Sequence, residues 1–260
     1  MSRTYKATGI NLKSMPMGEA DRLLTILTRE FGLVRALAMG SRKHNSRLGG
    51  RSGLFVVNEL MLAKGRSIDK VTQAETLESY PGLGQDLKKL TASQYLAELC
   101  LCQALSDQPQ EELFCILNEH LGRLERSPAV QVLAYLTHAI YQLLILSGIA
   151  PQVHLCCVTR QPLSPDFTDP GWQVGFSVAS GGTVTLAALE QLVAEQPRPS
   201  ASEPCLNTRP AKPAPPIKRG ENAPRKTYQQ TAFNFTLSAP QLAVLQELSQ
   251  PNLSEQFIQA

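Results

Sequence analysis

Residues 39–53, MGSRKHNSRLGGRSG, place four basic side chains, Arg42, Lys43, Arg47 and Arg51, among four glycines and three serines. No Asp or Glu occurs between Glu30 and Glu59, so Arg35 falls in the same acid-free window. Cations of this kind attract polyanions, while serine hydroxyls and exposed backbone amides donate to phosphate oxygens and glycine permits close backbone approach. The stretch reads as a flexible basic loop, and its chemistry is retention of a phosphate backbone without readout of its sequence. With Arg22 upstream and the Ser46 hydroxyl, the candidate contacts are Arg22, Arg35, Arg42, Lys43, Ser46, Arg47 and Arg51. A run of charge also keeps an ordinary surface wet, so the elements that carry these residues must decide between the two readings.

Other reactive residues fit their chemistry less well. Cys156 and Cys157 are adjacent, with His154 nearby and Cys205 far downstream. A structural zinc site takes four ligands, commonly from two Cys-x2-4-Cys pairs, but Thr159 stands where the partner of Cys156 belongs. No bound metal and no other cofactor is expected. A thiol redox role needs a depressed thiol pKa, and the nearest basic residue is Arg160. There is no phosphate-loop motif, the GLG at 82–84 lacks a third glycine, and the four histidines are scattered. The chain does not read as an enzyme.

The elements come in two styles. Tyr5 to Leu12, Leu23 to Thr28, Leu33 to Met39, Phe55 to Ala63 and Val71 to Leu77 are short, apolar and β-branched, separated by turn residues. Five such strands within residues 1–80 predict a small barrel, a scaffold whose faces and loops hold oligonucleotides. Gly32 supplies the turn after the second strand, Phe55 belongs to the core, and Phe31 is open to solvent. From Leu83 the apolar period lengthens to that of helices, at Leu83 to Leu105, from about Gln110 to Arg126, and from Pro128 to about Gly148. These form a helical domain at 81–150, with Cys100, Cys102 and Cys115 as small core hydrophobes. Residues 151–195 form a small irregular subdomain ending in a helix from Leu186. Residues 196–228 are rich in proline and basic, and read as disordered; 229–260 hold a last helix over LSAPQLAVLQELS.

Charge separates the parts. Residues 1–80 carry 13 Lys and Arg against 7 Asp and Glu, while 81–196 carry 5 against 11. The N-terminus lacks a secretory apolar region, and the most apolar run, 132–148, is too short for a membrane span of about 20 residues. A cytoplasmic protein without membrane contact is expected.

The order GEADRLLTILTREFGLVRALAMGSRKHNSRLGG, from 18 to 50, resembles the N-terminal domain of the bacterial RecO family of DNA repair and recombination mediators. Glu19, Asp21, Arg22, Thr28, Gly32, Gly40, Arg42, Lys43 and Ser46 stand at that family's places, and Ala74, Glu75 and Pro151 continue the order. The resemblance implies an α+β protein: a five-stranded OB-fold barrel, then a helical domain with a small zinc-finger-like subdomain, of whose usual four cysteines only Cys156 is present. It further implies binding of single- and double-stranded DNA, annealing of complementary strands, and work with RecR and single-stranded-DNA-binding protein to load RecA, in association with the nucleoid. The helices, with Leu133, Leu136 and Ile140 as their inward face, would leave a groove, bordered by Lys88, Lys89, Arg123 and Arg126, for the tail of single-stranded-DNA-binding protein. An RNA-binding barrel and a protein-interaction adaptor are the alternatives, since backbone contacts do not separate RNA from DNA.

Overall fold

The computed structural model describes residues 4–194 and 234–254; the proline-rich stretch at 196–228, with Cys205, lies outside them. Two compact units are formed, one by Met1–Ala150 with Val244–Ala260, the other by Pro151–Ala243.

In the first unit β1 (Thr4–Met17), β2 (Asp21–Thr28), β3 (Gly32–Ala38), β4 (Val57–Ala63) and β5 (Asp69–Glu78) close into a barrel in the order β1-β2-β3-β5-β4. All pairs are antiparallel except β3 with β5, joined at Ala36 to Asp69 and Leu37 to Lys70. This is the expected OB-type barrel. β1 runs five residues past the predicted end at Leu12 because its register with β2 shifts between Asn11 and Lys13. A bulge adds one residue and reverses which side chains face inward, so simple alternation stops at Leu12 although the strand does not. β4 begins at Val57 rather than Phe55 because Phe55 has a φ of 58°. Phe55 is nevertheless core, 2% exposed.

Gly32 does two jobs at once. Its φ of +64° turns β2 into β3, and the carbonyl of Leu105 packs so close that an added Cβ would stand 1.9 Å from it. The Leu33 amide donates to that same carbonyl at 3.0 Å, tying the barrel to the helical region.

The helices are α1 (Leu87–Gln103), α2 (Glu111–Arg126) and α3 (Val132–Leu146). The predicted start at Leu83 is a short 3₁₀ turn, Pro81–Gln85, and α1 begins where the Asp86 carboxylate caps the Lys88 and Lys89 amides at 2.7 and 3.2 Å. One buried cluster joins barrel to helices: Ile10, Leu12, Leu27, Phe55 and Val57 pack with Leu96, Cys100, Leu117, Leu121 and Leu143. A second cluster, with Leu24, Ile26, Leu60 and Leu62, fills the barrel. Burial pushes the Cys100 thiol up to about 12, whereas Cys102 and Cys115 are exposed and not core. Leu133 is likewise corrected: Val132, Ala139 and Leu143 face inward, and Leu133 is 72% exposed.

Residues 250–252 close this helical region. His138 Nε2 donates to the Gln250 carbonyl at 2.9 Å, Gln142 Nε2 to the same oxygen at 2.8 Å, and Arg123 Nη2 to Asn252 Oδ1 at 2.7 Å. His120 stacks edge to face on His138 at 5.2 Å.

The second unit is built on β6 (Gln173–Ser177), β7 (Gly182–Val184) and β8 (Asn234–Ser238), in the order β7-β6-β8, with α4 (Leu186–Ala194). It is thus more regular than predicted. β8 pairs with β6 across the whole intervening sequence, which no local pattern foretells. α5 (Ala239–Leu248) is the predicted last helix.

Two outcomes follow from these contacts. Gly32→Ala combines a strained φ with a backbone clash, so urea unfolding should show a loss of at least ~2 kcal/mol. Burial, with the charges of His138 and Arg123, holds the His120 imidazole down at about 3. The unfolded chain protonates this side chain near the ordinary value of about 6.5 while the folded chain does not. Stability should therefore fall as pH drops from about 6.5 towards 3, by up to ~1.4 kcal/mol per pH unit for this group; urea midpoints against pH should flatten in His120→Gln.

Candidate nucleic-acid interface

The outer face of β1, β2 and β3 is the clearest candidate surface. Its strand registers place Lys13, Thr25 and Arg35 in one row, and Met15, Leu23, Leu37 and Lys70 in the next. Inward-facing neighbours, Leu24, Ile26, Val34 and Ala36, belong to the barrel core, which fixes the orientation of the rest. At one end of this face Ile10, Leu12, Leu27 and Leu33 are covered by the helices. At the other end Met15 and Met17 are 55% and 45% exposed, as is Met39, two residues beyond Leu37, at 55%. An apolar strip therefore runs out from beneath the helices, with Arg35 and Lys70 exposed along it and Lys13 paired to Glu98 at 2.9 Å. Cations beside an apolar platform suit an unpaired strand, whose phosphates and bases need different surfaces. Methionine is a soft, polarizable contact for aromatic rings.

Residues 39–53 do not form the flexible loop that their composition predicts. Successive turns carry them across the barrel mouth: the Lys43 amide donates to Gly40, Ser46 to Lys43 and Gly49 to Ser46, each at 3.1 Å. Asp21 accepts from the Gly40 amide at 2.6 Å. Asn11 and Asn58, both fully buried, donate to the Arg51 carbonyl at 2.8 and 2.9 Å, and Ser14 to the Ser52 carbonyl at 2.7 Å.

This anchoring distributes the predicted contacts over several surfaces. Arg22 points inward and donates to the Gly49 carbonyl at 3.2 Å and Ser52 Oγ at 2.9 Å, so it holds the loop. The Ser46 hydroxyl accepts from the Leu48 amide within its own turn. Arg42, exposed beside the β1–β2 turn, reaches the Gly18 carbonyl at 3.0 Å, and Lys43 is exposed next to it. Arg47 and Arg51 line a separate groove over β4 and β5, shared with Glu59 and Glu75. Only Arg35 lies on the strand face itself. Lys70, Lys13 and the methionines were missed: Lys70 follows an acid and lies outside the acid-free window, and Met15 and Met17 lie past the bulge. Pairing register alone brings them to Arg35.

Of the four basic residues assigned to a groove on the helices, only Lys88 lines one, an apolar groove of about 800 Å³ with Leu87, Val130, Leu133 and Leu136. Lys89 donates to the Glu125 carbonyl at 2.6 Å. Arg123 is engaged by Glu119 and Asn252, and Arg126 lies against Gly122. None of these three lines that groove.

In the second unit Cys156 is buried and its Sγ accepts from the Thr159 amide at 3.4 Å and the Thr185 amide at 3.3 Å. Burial alone would raise this thiol, but hydrogen bonds from Thr159, Thr185 and Val158 bring it down to about 7. The Thr159 hydroxyl and the amides of Thr159, Thr185 and Val158, none of them a cation, cause that depression. Among the described residues no three His, Cys, Asp or Glu side chains come together to hold a metal, so this donor set does not fit zinc.

A closed OB-type barrel sharing one core with three helices, followed by a small sheet-and-helix unit, defines a class of OB-fold proteins with a helical extension. Residues 1–80 match the family model for the recombination protein O N terminal domain, and residues 84–196 that for its C terminal domain. The chain belongs to the RecO family of DNA repair proteins. It is 56% identical to the DNA repair protein RecO of a Nostoc species over 98% of this chain and 84% of that one. It is also 53% identical to that of Nostoc punctiforme, over 98% and 85%. With that of Acaryochloris marina the identity is 67%, over 72% of this chain and 64% of the relative. No helix among the described residues is long and apolar enough to cross a membrane.

Since the Thr159 and Thr185 amides hold the Cys156 turn, a chelator should leave the thermal unfolding curve of the purified chain unchanged. A drop in melting temperature with EDTA, reversed by zinc, would contradict this.

Proposed function

We propose that this chain is a non-enzymatic recombination mediator that binds single- and double-stranded DNA, anneals complementary strands and helps load recombinase onto DNA coated by single-stranded-DNA-binding protein. The observation that carries the reading is the strip of Met15, Leu23 and Leu37, which ends at Lys70 and has Arg35 in the row beside it, on a barrel whose family is one of DNA repair proteins. Phosphates would meet Arg35 and Lys70, with Arg42 and Lys43 continuing the positive surface past the β1–β2 turn. Bases of an unpaired strand would lie on the thioether and leucine side chains, and a duplex would engage the cations alone. Annealing follows from the same chemistry, since neutralising two strands removes the repulsion between complements.

RecR, single-stranded-DNA-binding protein and, indirectly, RecA are the partners this role requires. The apolar groove at Leu133 and Leu136, with Lys88 at its edge, is the place for the apolar, acidic tail of single-stranded-DNA-binding protein. Residue chemistry at the strand face leaves RNA as a competitor ligand, and matched DNA and RNA oligomers would rank the two.

The test is oligo-dT binding by fluorescence anisotropy across a salt series. Arg35→Glu with Lys70→Glu should weaken binding at least tenfold at ~0.1 M salt and reduce the slope of log K against log salt by about 1.4, or ~0.7 for each lost phosphate contact. Unchanged affinity and slope would remove the strand face from the reading.

A further inference from the structure

The strand face does not stop at the edge of the barrel. Lys13 and Met15 also border a groove of about 540 Å³ between β1 and α1, floored by Leu12 and flanked by Leu54, Gln94 and Tyr95. Tyr95 is 51% exposed and Leu54 40%. Of the two exposed aromatic rings in the described part of the first unit, Phe31 is taken up edge to face by Tyr5 at 4.8 Å. Tyr95 is the other. We infer that this groove is a second nucleic-acid subsite, in which an unpaired base of a strand leaving the barrel face stacks on Tyr95.

Three features favour a base over a peptide. The groove is continuous with the strand face through Lys13 and Met15, so a strand that lies on one must pass the other. Gln94 offers an amide with both donor and acceptor, which matches the mixed edge of a base. Its only cation, Lys13, is balanced by Glu98 at 2.9 Å, leaving no excess positive charge for an acidic peptide. Aromatic stacking is tolerant of sequence and adds to affinity without reading it. Paired bases are stacked on one another and cannot enter, so the subsite favours single strands over duplex. The inference rests on the proposed DNA-binding role, and the experiment separates the two.

Tyr95→Ala, Tyr95→Phe and the Arg35→Glu, Lys70→Glu double variant are compared on labelled oligo-dT, on the same oligomer carrying abasic sites, and on blunt duplex. Tyr95→Ala should bind oligo-dT about tenfold more weakly, bind duplex like wild type, and equal wild type on the abasic strand. Tyr95→Phe should keep wild-type affinity, because the ring and not the hydroxyl acts. If Tyr95→Ala leaves oligo-dT affinity unchanged while the double variant loses it, the subsite is wrong and the strand face stands. An equal loss on intact and abasic strands would show that the ring supports the fold rather than a base. Tyr95 also lines the neighbouring groove at Leu133, whereas Leu54 lines this one alone; if DNA binding is unchanged and Leu54→Ala instead abolishes binding of an acidic peptide with an apolar end, the groove belongs to a protein ligand. A wild-type chain that binds no DNA overturns both readings.

Discussion

The carbonyl of Arg51 receives two buried amides, from Asn11 at 2.8 Å and Asn58 at 2.9 Å, and this junction holds the barrel mouth in place. A carbonyl has two lone pairs, and both are used here. Burying an asparagine side chain is costly unless its donors are satisfied, so neither residue tolerates a loop that drifts. Asn11 also stands at the bulge in β1. Before it, Ala7 faces the barrel interior; after it, Ser14 turns in to the loop and Lys13, Met15 and Met17 turn out. One extra residue and one shared carbonyl thus set both the inner wall and the outer face.

The shared core then decides how much of that face stays available. Leu12, Leu27 and Leu33 would be exposed on an isolated barrel, but α1 and α2 cover them, and Gly32 lets the Leu105 backbone come close enough to lock the junction. Fully burying one such leucine is worth about 1.5–3 kcal/mol, which gives the helices a reason to dock on this side of the barrel. What remains open is the far end of the same strip, with cations beside it. An apolar surface that is partly satisfied by the protein and partly left to solvent marks a place for another molecule.

Charge took a different course from the one its clustering suggests. The basic residues of the acid-free window lie close in sequence, yet the turns spread them over the mouth, the strand face and the β4–β5 groove. Arg22 became a strut because its position in β2 pairs with Ala38 and faces inward. In the second unit the opposite happened: Cys156, poor in partners by sequence, is surrounded by the Thr159 hydroxyl and backbone amides that do part of what a metal ion does for a thiolate, by stabilising negative charge on sulfur.

The barrel, its five strands, the helical region after residue 80 and the turn at Gly32 were legible because period, turn residues and β-branching are local properties. Family membership was legible in the order of residues 18–50. The composition of residues 39–53 was read correctly as basic and wrongly as flexible, since the anchors, Asn11, Ser14, Arg22 and Asn58, lie in other strands. Lys70 beside Leu37, β8 beside β6, and Tyr95 beside Met15 come from pairing across distant segments, and no window along the chain contains both members. Sequence by itself determined which elements form in the barrel and the helical region and how much positive charge they carry. Only the tertiary structure decided which of those charges share a surface, because strand register and a single bulge assign every side chain to the inside or the outside of the barrel.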